Sequence, residues 1–413
     1  MPEEPKERGV WAELYVRDFL SLPFISEFVL RSPQTLDGTQ KEVADFLVTY
    51  PGTSLLISQK TQKDPLARNS DKTLSWASKE AKKAASQLCG ALRTARGKPI
   101  WCDHPRRGRV ELPNGLPKIN HGIVLLEVLQ SIDLNALADD LPLEYQGTPI
   151  TYLSLNDFLN IAIELRTMPE VLSYLDARHS LPEADLRTIG NERPLFQFYL
   201  LEQGSLARCI GKADALLAAA ARQGEFEEAV KLKWAHDQYG GLLEHVADEL
   251  ATRRHDYAVG LSAEALARYD APDRRSNYLQ LQAVLANMGL RERSELGRSF
   301  DEAIRRRRES GSAFSHRAIH LDSRPEWVYV VGSSAGILPA DLEAIKMNLM
   351  VAALAYFRKT HCLLIIDREN ASYEVGLMIK SSVPSSPHEC ALGEKLFAHL
   401  RMSDAELALI PTG

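Results

Sequence analysis

The residues best placed to do chemistry are an acid and a lysine on either side of a tight turn. Asp45 lies in the run Val43–Thr49 and Lys60 follows the run Ser54–Ser58, with Tyr50-Pro51-Gly52-Thr53 between them. Apolar, β-branched runs bounded by Pro and Gly predict an antiparallel hairpin. A turn centred on Pro51-Gly52 sets Asp45 opposite Ser58. Because side chains alternate along a strand, Ser58, Lys60 and Gln62 then share one face. Asp45 stands across from Ser58 and diagonal to Lys60, within reach of a shared ligand. The chemistry of such a set is phosphodiester hydrolysis. A divalent cation stabilises charge on a phosphate and lowers the pKa of an attacking water. Mg²⁺ prefers oxygen ligands and commonly takes only one or two carboxylates. A lysine holds the water or neutralises charge that develops in the transition state.

This arrangement resembles the PD-(D/E)XK superfamily of metal-dependent nucleases, the restriction-endonuclease-like fold, over roughly the first third of the chain. In that family an Asp and a second acid (sometimes Gln) hold Mg²⁺, and a Lys orients or activates the water. Asp45 matches the metal-binding Asp and Lys60 the motif Lys. Glu13 matches the acid that some branches supply from a first helix. The second-strand acid falls at Ser58, whereas Gln59 points to the other face and Gln62 lies on the right face one step beyond the lysine. The resemblance therefore implies Asp45, Lys60, Glu13, Ser58 and Gln62 as the catalytic set. Asp45, Glu13 and Glu42 are the implied ligands of Mg²⁺, or of Mn²⁺ as substitute, with a backbone carbonyl of the second strand. It also implies nucleic acid, DNA favoured, as substrate. A soluble nuclease joined to a large helical part resembles the effectors of bacterial anti-phage defence, whose second part senses or assembles. A partner protein or homo-oligomer follows from that analogy.

Other readings fit the same residues. Lys60, Lys63 and Asp64 also suit a solvated strand end, with Asp45 a paired polar residue near the rim. Ser58 in place of an acid suits a nuclease fold that grips nucleic acid or a partner without cutting. A structural or regulatory subunit acting through its helical part is a third reading.

Basic residues follow the hairpin closely: Lys63, Arg68, Lys72, Lys79, Lys82 and Lys83, then Arg93, Arg96, Lys98, Arg106, Arg107 and Arg109. Such density suits a phosphate backbone, and Trp76 and Trp101 suit stacking on bases. The same lysines suit the wet face of an amphipathic helix. Arg305-Arg306-Arg307-Arg308 reads as a solvated helix C-terminus, where cations complement the dipole. Gly332-Ser333-Ser334-Ala335-Gly336 has the form of a loose GxSxG but reads as a strand-to-helix turn, since Pro339 and Asp341 delay the helix. Asp367-Arg368-Glu369 reads as a solvated strand end. Cys102, Asp103 and His104 lack the second ligand pair of a zinc site, and no Walker-type phosphate loop occurs.

The elements that must position the hairpin are legible around it. Residues Glu7–Leu20 predict a helix, Ser26–Arg31 a strand and Ser32–Gln40 a loop. Thr73–Arg96 predicts a long helix with Leu74, Ala77, Ala81, Ala84, Ala85, Leu88 and Leu92 on its buried face. His121–Leu129 suits a buried central strand. Helix, strand, hairpin, helix, strand is the order that the nuclease core requires. Leu153–Arg178 predicts a helix pair with a Ser154/Asn156 start, its second helix capped by Thr167 ahead of Pro169. From Leu195 to about Arg308 nearly everything reads as helix, punctuated by Gly240-Gly241. Trp327–Val331, Ala340–Arg358 and Cys362–Asp367 predict a strand–helix–strand unit with parallel strands, and a final helix is expected near Leu392–Met402.

The expected fold class is α/β: a restriction-endonuclease-like core over 1–150, a helical domain over 151–310 and a C-terminal α/β segment over 311–413. The chain of 413 residues is long for one core. Its net charge of −6 excludes a wholly basic nucleic-acid coat while leaving room for a local basic groove. Five scattered cysteines without a CxxC pair suit reduced thiols. The acidic opening MPEEPKERGVW is no signal peptide, and no run approaches the roughly 18 apolar residues of a membrane span. A soluble, cytoplasmic protein is expected.

Overall fold

Thr53 pairs directly with Tyr50, and from that closure the register runs back to Phe46 opposite Ile57. The hairpin so formed, β2 (Phe46–Tyr50) and β3 (Thr53–Thr61), lies at the middle of a mixed sheet. The computed structural model describes residues 16, 28–36, 42–50, 53–62, 70–104, 108–128, 132–133, 137, 140–220, 223–258, 280–321, 323–368, 372–380 and 385–398. The chain divides into two compact units, Met1–Ala235 and His236–Gly413. Each is mixed α/β, with the larger sheet in the first.

In the first unit β1 is Val29–Thr35, α1 is Ser70–Thr94, β4 is Ile100–His104, β5 is Gly108–Leu112 and β6 is His121–Glu127. The two-residue β7 (Glu144–Tyr145) and β8 (Thr148–Ser154) complete a sheet of order β5-β4-β1-β2-β3-β6-β8-β7. The pairs β3–β6 and β6–β8 are parallel; the other pairs are antiparallel. Helix α1 buries Ala77, Ala81, Ala84, Ala85, Leu88 and Leu92 against Leu47, Leu56, Val124 and Leu126 of the sheet. The alanines keep the helix close. At Gly122 a Cβ would lie 2.5 Å from a methyl of Leu88, so the β6 glycine is what lets Leu88 seat. Leu74, expected on this buried face, is 40% exposed near the start of the helix.

Helices follow: α2 (Leu155–Leu165), α3 (Met168–His179), α4 (Glu183–Ile189), α5 (Glu192–Leu201), α6 (Ala213–Ala220) and α7 (Gln223–Asp237). The Ser154 hydroxyl caps α2 by accepting from the Asp157 N–H. Arg166 takes a left-handed conformation that turns the chain into α3. Thr167 occupies the N-cap position of α3 as expected, but its hydroxyl makes no capping bond and is buried without a partner among the described residues.

The second unit holds α8 (Gly240–Ala258), a helical stretch at 280–286, α9 (Leu290–Ser310), β9 (Phe314–Ile319), β10 (Trp327–Ser334), α10 (Pro339–Phe357), β11 (His361–Arg368), β12 (Ser372–Ile379) and α11 (Pro387–Phe397). Its strands form a separate sheet, β12-β11-β10-β9, in which β10 and β11 are parallel as expected and the outer pairs antiparallel. Val328, Val330, Leu364 and Ile366 pack on Leu342, Leu349, Met350 and Ala353 of α10 and on Phe397 of α11.

Several boundaries differ from expectation. The first strand is displaced, so Ser32–Thr35 are strand rather than loop. Strand β3 continues past Ser58 through Thr61. Strands β4, β5, β7, β8, β9 and β12 were not expected. Of the first expected helix, only Val16, helical and buried, is among the described residues. All five cysteines are free thiols, and burial pushes those of Cys102, Cys209 and Cys362 up to about 12. Among the described residues no helix is long and apolar enough to cross a membrane.

Candidate active site on the β2–β3 hairpin

The β2–β3 register ends at Phe46 opposite Ile57, and the Asp45 N–H bonds the Ile57 carbonyl, so the strand leaves the regular ladder at Asp45 and the expected pairing of Asp45 with Ser58 is not among the paired residues. Asp45 sits where β2 begins and ties its neighbours together. Its N–H donates to the Ile57 carbonyl at 3.2 Å, and its own carbonyl accepts from Ser32 N–H at 2.9 Å. One carboxylate oxygen, Oδ2, accepts the Gln59 backbone N–H at 2.6 Å. The side chain thus stands where the next carbonyl of β2 would bond. The second oxygen, Oδ1, takes no part in that bond.

Beyond this point β3 leaves β2 behind but keeps its parallel pairing to β6 as far as Thr61 opposite Glu127. In a ladder the N–H and C=O of one residue leave the strand on the same side. The Gln59 carbonyl is therefore directed to the Asp45 side. Ser58, Lys60 and Gln62 share the strand face that Leu56 presents to α1. Lys60 is half-buried, Ser58 is buried, and Gln62 is fully buried. Neither side-chain atom of Gln62, nor of Gln59 on the reverse face, has a hydrogen-bond partner among the described residues. A polar strand end in the middle of a sheet, carrying two orphaned amides, costs about 1–3 kcal/mol for each unsatisfied group. Such groups call for a ligand or a functional reason.

Of the other expected site residues, Glu42 is exposed and bridges to Gln34 of β1, three residues ahead of Asp45. Glu13, Lys63, Arg68, Arg106 and Arg107 lie outside the described residues. Among the described residues no three His, Cys, Asp or Glu side chains converge as a metal cage. The oxygens nearest the Asp45–Gln59 link are Asp45 Oδ1 and the Gln59 carbonyl, with the Ser58 hydroxyl one residue earlier on β3. That hard, oxygen-only set fits Mg²⁺ or Mn²⁺, which keep several waters and need few carboxylates.

Lys72, Lys79, Lys82 and Lys83 are exposed along α1. Lys82 pairs with Asp140 at 2.9 Å, and that hydrogen bond holds the Asp140 carboxyl below the usual carboxylate range. Lys83 lies 3.9 Å from Glu80. Their positive charge is therefore partly offset locally. Trp76 packs its edge on the core. Arg109 lies 4.8 Å over the Trp101 ring and also pairs with Glu111. In β4 the Cys102 and His104 side chains turn inward while Asp103 is exposed, so the three do not converge.

In the second unit two expectations are corrected. Arg307 is not solvated with its neighbours but buried, its Nε donating to Ser333 Oγ at 2.8 Å. Asp367 is likewise buried, accepting the Ser333 hydroxyl at 2.8 Å on Oδ2. Helical period explains the first: Arg305, Arg306 and Arg308 are exposed, and only Arg307 faces the sheet. Of the Gly332–Gly336 segment, expected as a strand-to-helix turn, Gly332–Ser334 are still strand, paired to β9 and β11, and the turn begins only at Ala335. Ser334 Oγ donates to the Asp367 carbonyl, and α10 starts only at Pro339.

Two buried polar groups of the first unit escaped the sequence reading. Arg178 reaches both Glu192 oxygens at 3.0 Å, and the Tyr174 hydroxyl donates to the same carboxylate. His121, at the start of β6, bonds Asp176 of α3 through Nε2 at 2.8 Å while its Nδ1 is buried without a partner. No local pattern announces either, because the partners are 14 and 55 residues apart.

Comparison with known proteins found no family model, no curated protein and no solved structure that matches the chain.

Proposed function

We propose that the chain is a metal-dependent nuclease whose first unit has a restriction-endonuclease-like core and hydrolyses phosphodiester bonds, with DNA the favoured substrate. The observation that carries this reading is the Asp45–Gln59 link. It fixes a carboxylate and a strand carbonyl side by side, with Lys60 the next residue on from Gln59. Mg²⁺ bound there would supply charge stabilisation on the phosphate and a more acidic water. Asp45 Oδ1 and the Gln59 carbonyl would hold it, with Ser58 and Glu13 or Glu42 in support. Lys60 would place its ammonium against the phosphate oxygens and neutralise charge as the bond to the leaving oxygen stretches. A role as the effector of an anti-phage system is the analogy that the domain pairing suggests.

One observation favours a second reading, a nuclease fold that binds nucleic acid without cutting it. Ser58, buried on β3 two residues before Lys60, puts a hydroxyl where the family carries an acid.

The test is incubation of the full chain with linear DNA, circular DNA and RNA in Mg²⁺ and in Mn²⁺, beside Asp45→Ala and Lys60→Ala. Cleavage abolished by both substitutions is expected. Cleavage that survives both places the chemistry elsewhere, and binding without cleavage favours the second reading.

A further inference from the structure

Strand β12 forms one rim of the second unit's sheet. It pairs with β11 in unbroken register, from Ser372 opposite Arg368 to Ile379 opposite His361. The Tyr373 N–H points away from β11, since it donates to Glu249 of α8 at 3.0 Å. Residues of an antiparallel strand turn their main-chain groups inward and outward alternately, so Val375, Leu377 and Ile379 also present theirs to the rim. Among the described residues nothing bonds to those outward groups. Their side chains share one face with Tyr373. There Tyr373 is buried beside His245 and Phe300, Val375 and Leu377 are half-buried, and Ile379 is 53% exposed. Sheet rims are ordinarily blunted by charge, proline or a bulge. The other rim, β9, carries His316 and Arg317 in its middle, whereas β12 carries no charge from Val375 to Ile379.

We propose that β12 pairs antiparallel with β12 of a second copy of this chain, about a two-fold axis at Leu377, and joins the two four-stranded sheets into one. The proposal is independent of the nuclease reading. In that register Leu377 faces its own counterpart, Val375 faces Ile379, and Glu374 faces Lys380 of the other copy. Outward-directed residues meet outward-directed residues, so the open main-chain groups find partners. The apolar side chains meet on the Tyr373 face. On the opposite face, where Gly376 lies against Met350 of α10, unlike charges meet at both ends of the pairing. Moving the axis one residue either way sets Glu374 against Met378 or Lys380 against Gly376, and both charge pairs are lost. Glu374 already bonds Lys346 and Arg368, and Lys380 bonds Glu389 at 3.2 Å, so the new pairs extend existing networks of charge.

Sedimentation velocity of the full chain over a wide range of concentration gives the first reading, and a mass twice that of the chain is expected. Ile379→Lys sits at an exposed position, so it should keep the urea midpoint. It should raise the dimer dissociation constant by roughly tenfold or more, because each copy then buries a charge in the pairing. The register is read with a short bismaleimide in a Cys390→Ser background, which removes the exposed thiol. Leu377→Cys stands about 5.5 Å from its counterpart and should link the two copies. Ile379→Cys stands about 14 Å from its counterpart and should not. A wild-type chain that stays monomeric overturns the proposal. A dimer that Ile379→Lys leaves intact shows that the copies meet on another surface and overturns it too. So does a dimer in which Leu377→Cys fails to link, or in which Ile379→Cys links instead, since the axis then lies elsewhere.

Discussion

The Asp45 carboxylate accepts the Gln59 backbone N–H at 2.6 Å, so the acid of the candidate site is also an inter-strand link. Structure and chemistry can be separated there. Asp45→Ala removes a hydrogen bond to a charged group and should cost about 1.5–3 kcal/mol. Asp45→Asn keeps a carbonyl acceptor and should cost less than half as much, yet lose metal-dependent cleavage as fully. Urea denaturation beside a cleavage assay reads both, and equal stability losses would show that the link is not made in solution.

Ser58→Glu tests the missing acid. The new carboxylate is buried on β3, one residue from the Gln59 N–H that Asp45 accepts, and a second buried negative charge there destabilises. The variant should therefore melt lower than wild type in metal-free buffer. Mg²⁺ should raise its melting temperature more than that of wild type, because a ligand of the folded state stabilises by mass action. Cleavage should rise in parallel. A variant indifferent to Mg²⁺ would mean that no cation occupies this place.

His121 should make stability depend on pH. Burial lowers its pKa below the ordinary 6.5, against the opposing pull of the Asp176 hydrogen bond. The unfolded chain then takes up the proton first, so the contribution is full above pH 6.5 and is lost as pH falls below it. A urea midpoint that declines from pH 7 to pH 5, with a smaller decline in His121→Gln, is the expected record.

The Arg178–Glu192 pair is 4% and 5% exposed and should be costly to break but cheap to replace. Arg178→Met strands a buried carboxylate and should destabilise by about 3–5 kcal/mol. Adding Glu192→Leu should recover most of that loss. Double-mutant denaturation curves check it, and additive losses would contradict a direct pairing.

The hairpin and its faces were readable because Pro51-Gly52 punctuates two β-branched runs, and a two-residue closure leaves one register. Helix α1 and strand β6 were readable from an alanine-rich period and an unbroken apolar run. The strands that escaped have reasons of their own. In β4, Ile-Trp-Cys-Asp-His carries a charge on its exposed side, and in β8 a proline stands at Pro149, tolerated because the strand's neighbour there is only the two-residue β7. Strands β9 and β12 form the rims of their sheet and are mostly half-buried, so no clean alternation marks them. Within the candidate site, residue types were legible but burial was not. Gln62 and Gln59 read like any polar strand end until the sheet closes over them. Arg307 read like its three neighbours because four arginines in a row conceal which one faces inward.

The two-residue closure between Tyr50 and Thr53 has a consequence for how this chain can vary. Strand β3 is held on its other side by parallel pairing to β6, which fixes the faces that Ser58, Lys60 and Gln62 present. Adding one residue to the turn would shift β2 by a single step and take the carboxylate of Asp45 away from the Gln59 N–H. Adding two would restore the face but move the acid one pleat along. The placing of Asp45 against β3 is thus set by a turn some 20 Å away along the strand, and that turn should tolerate changes of residue far better than changes of length.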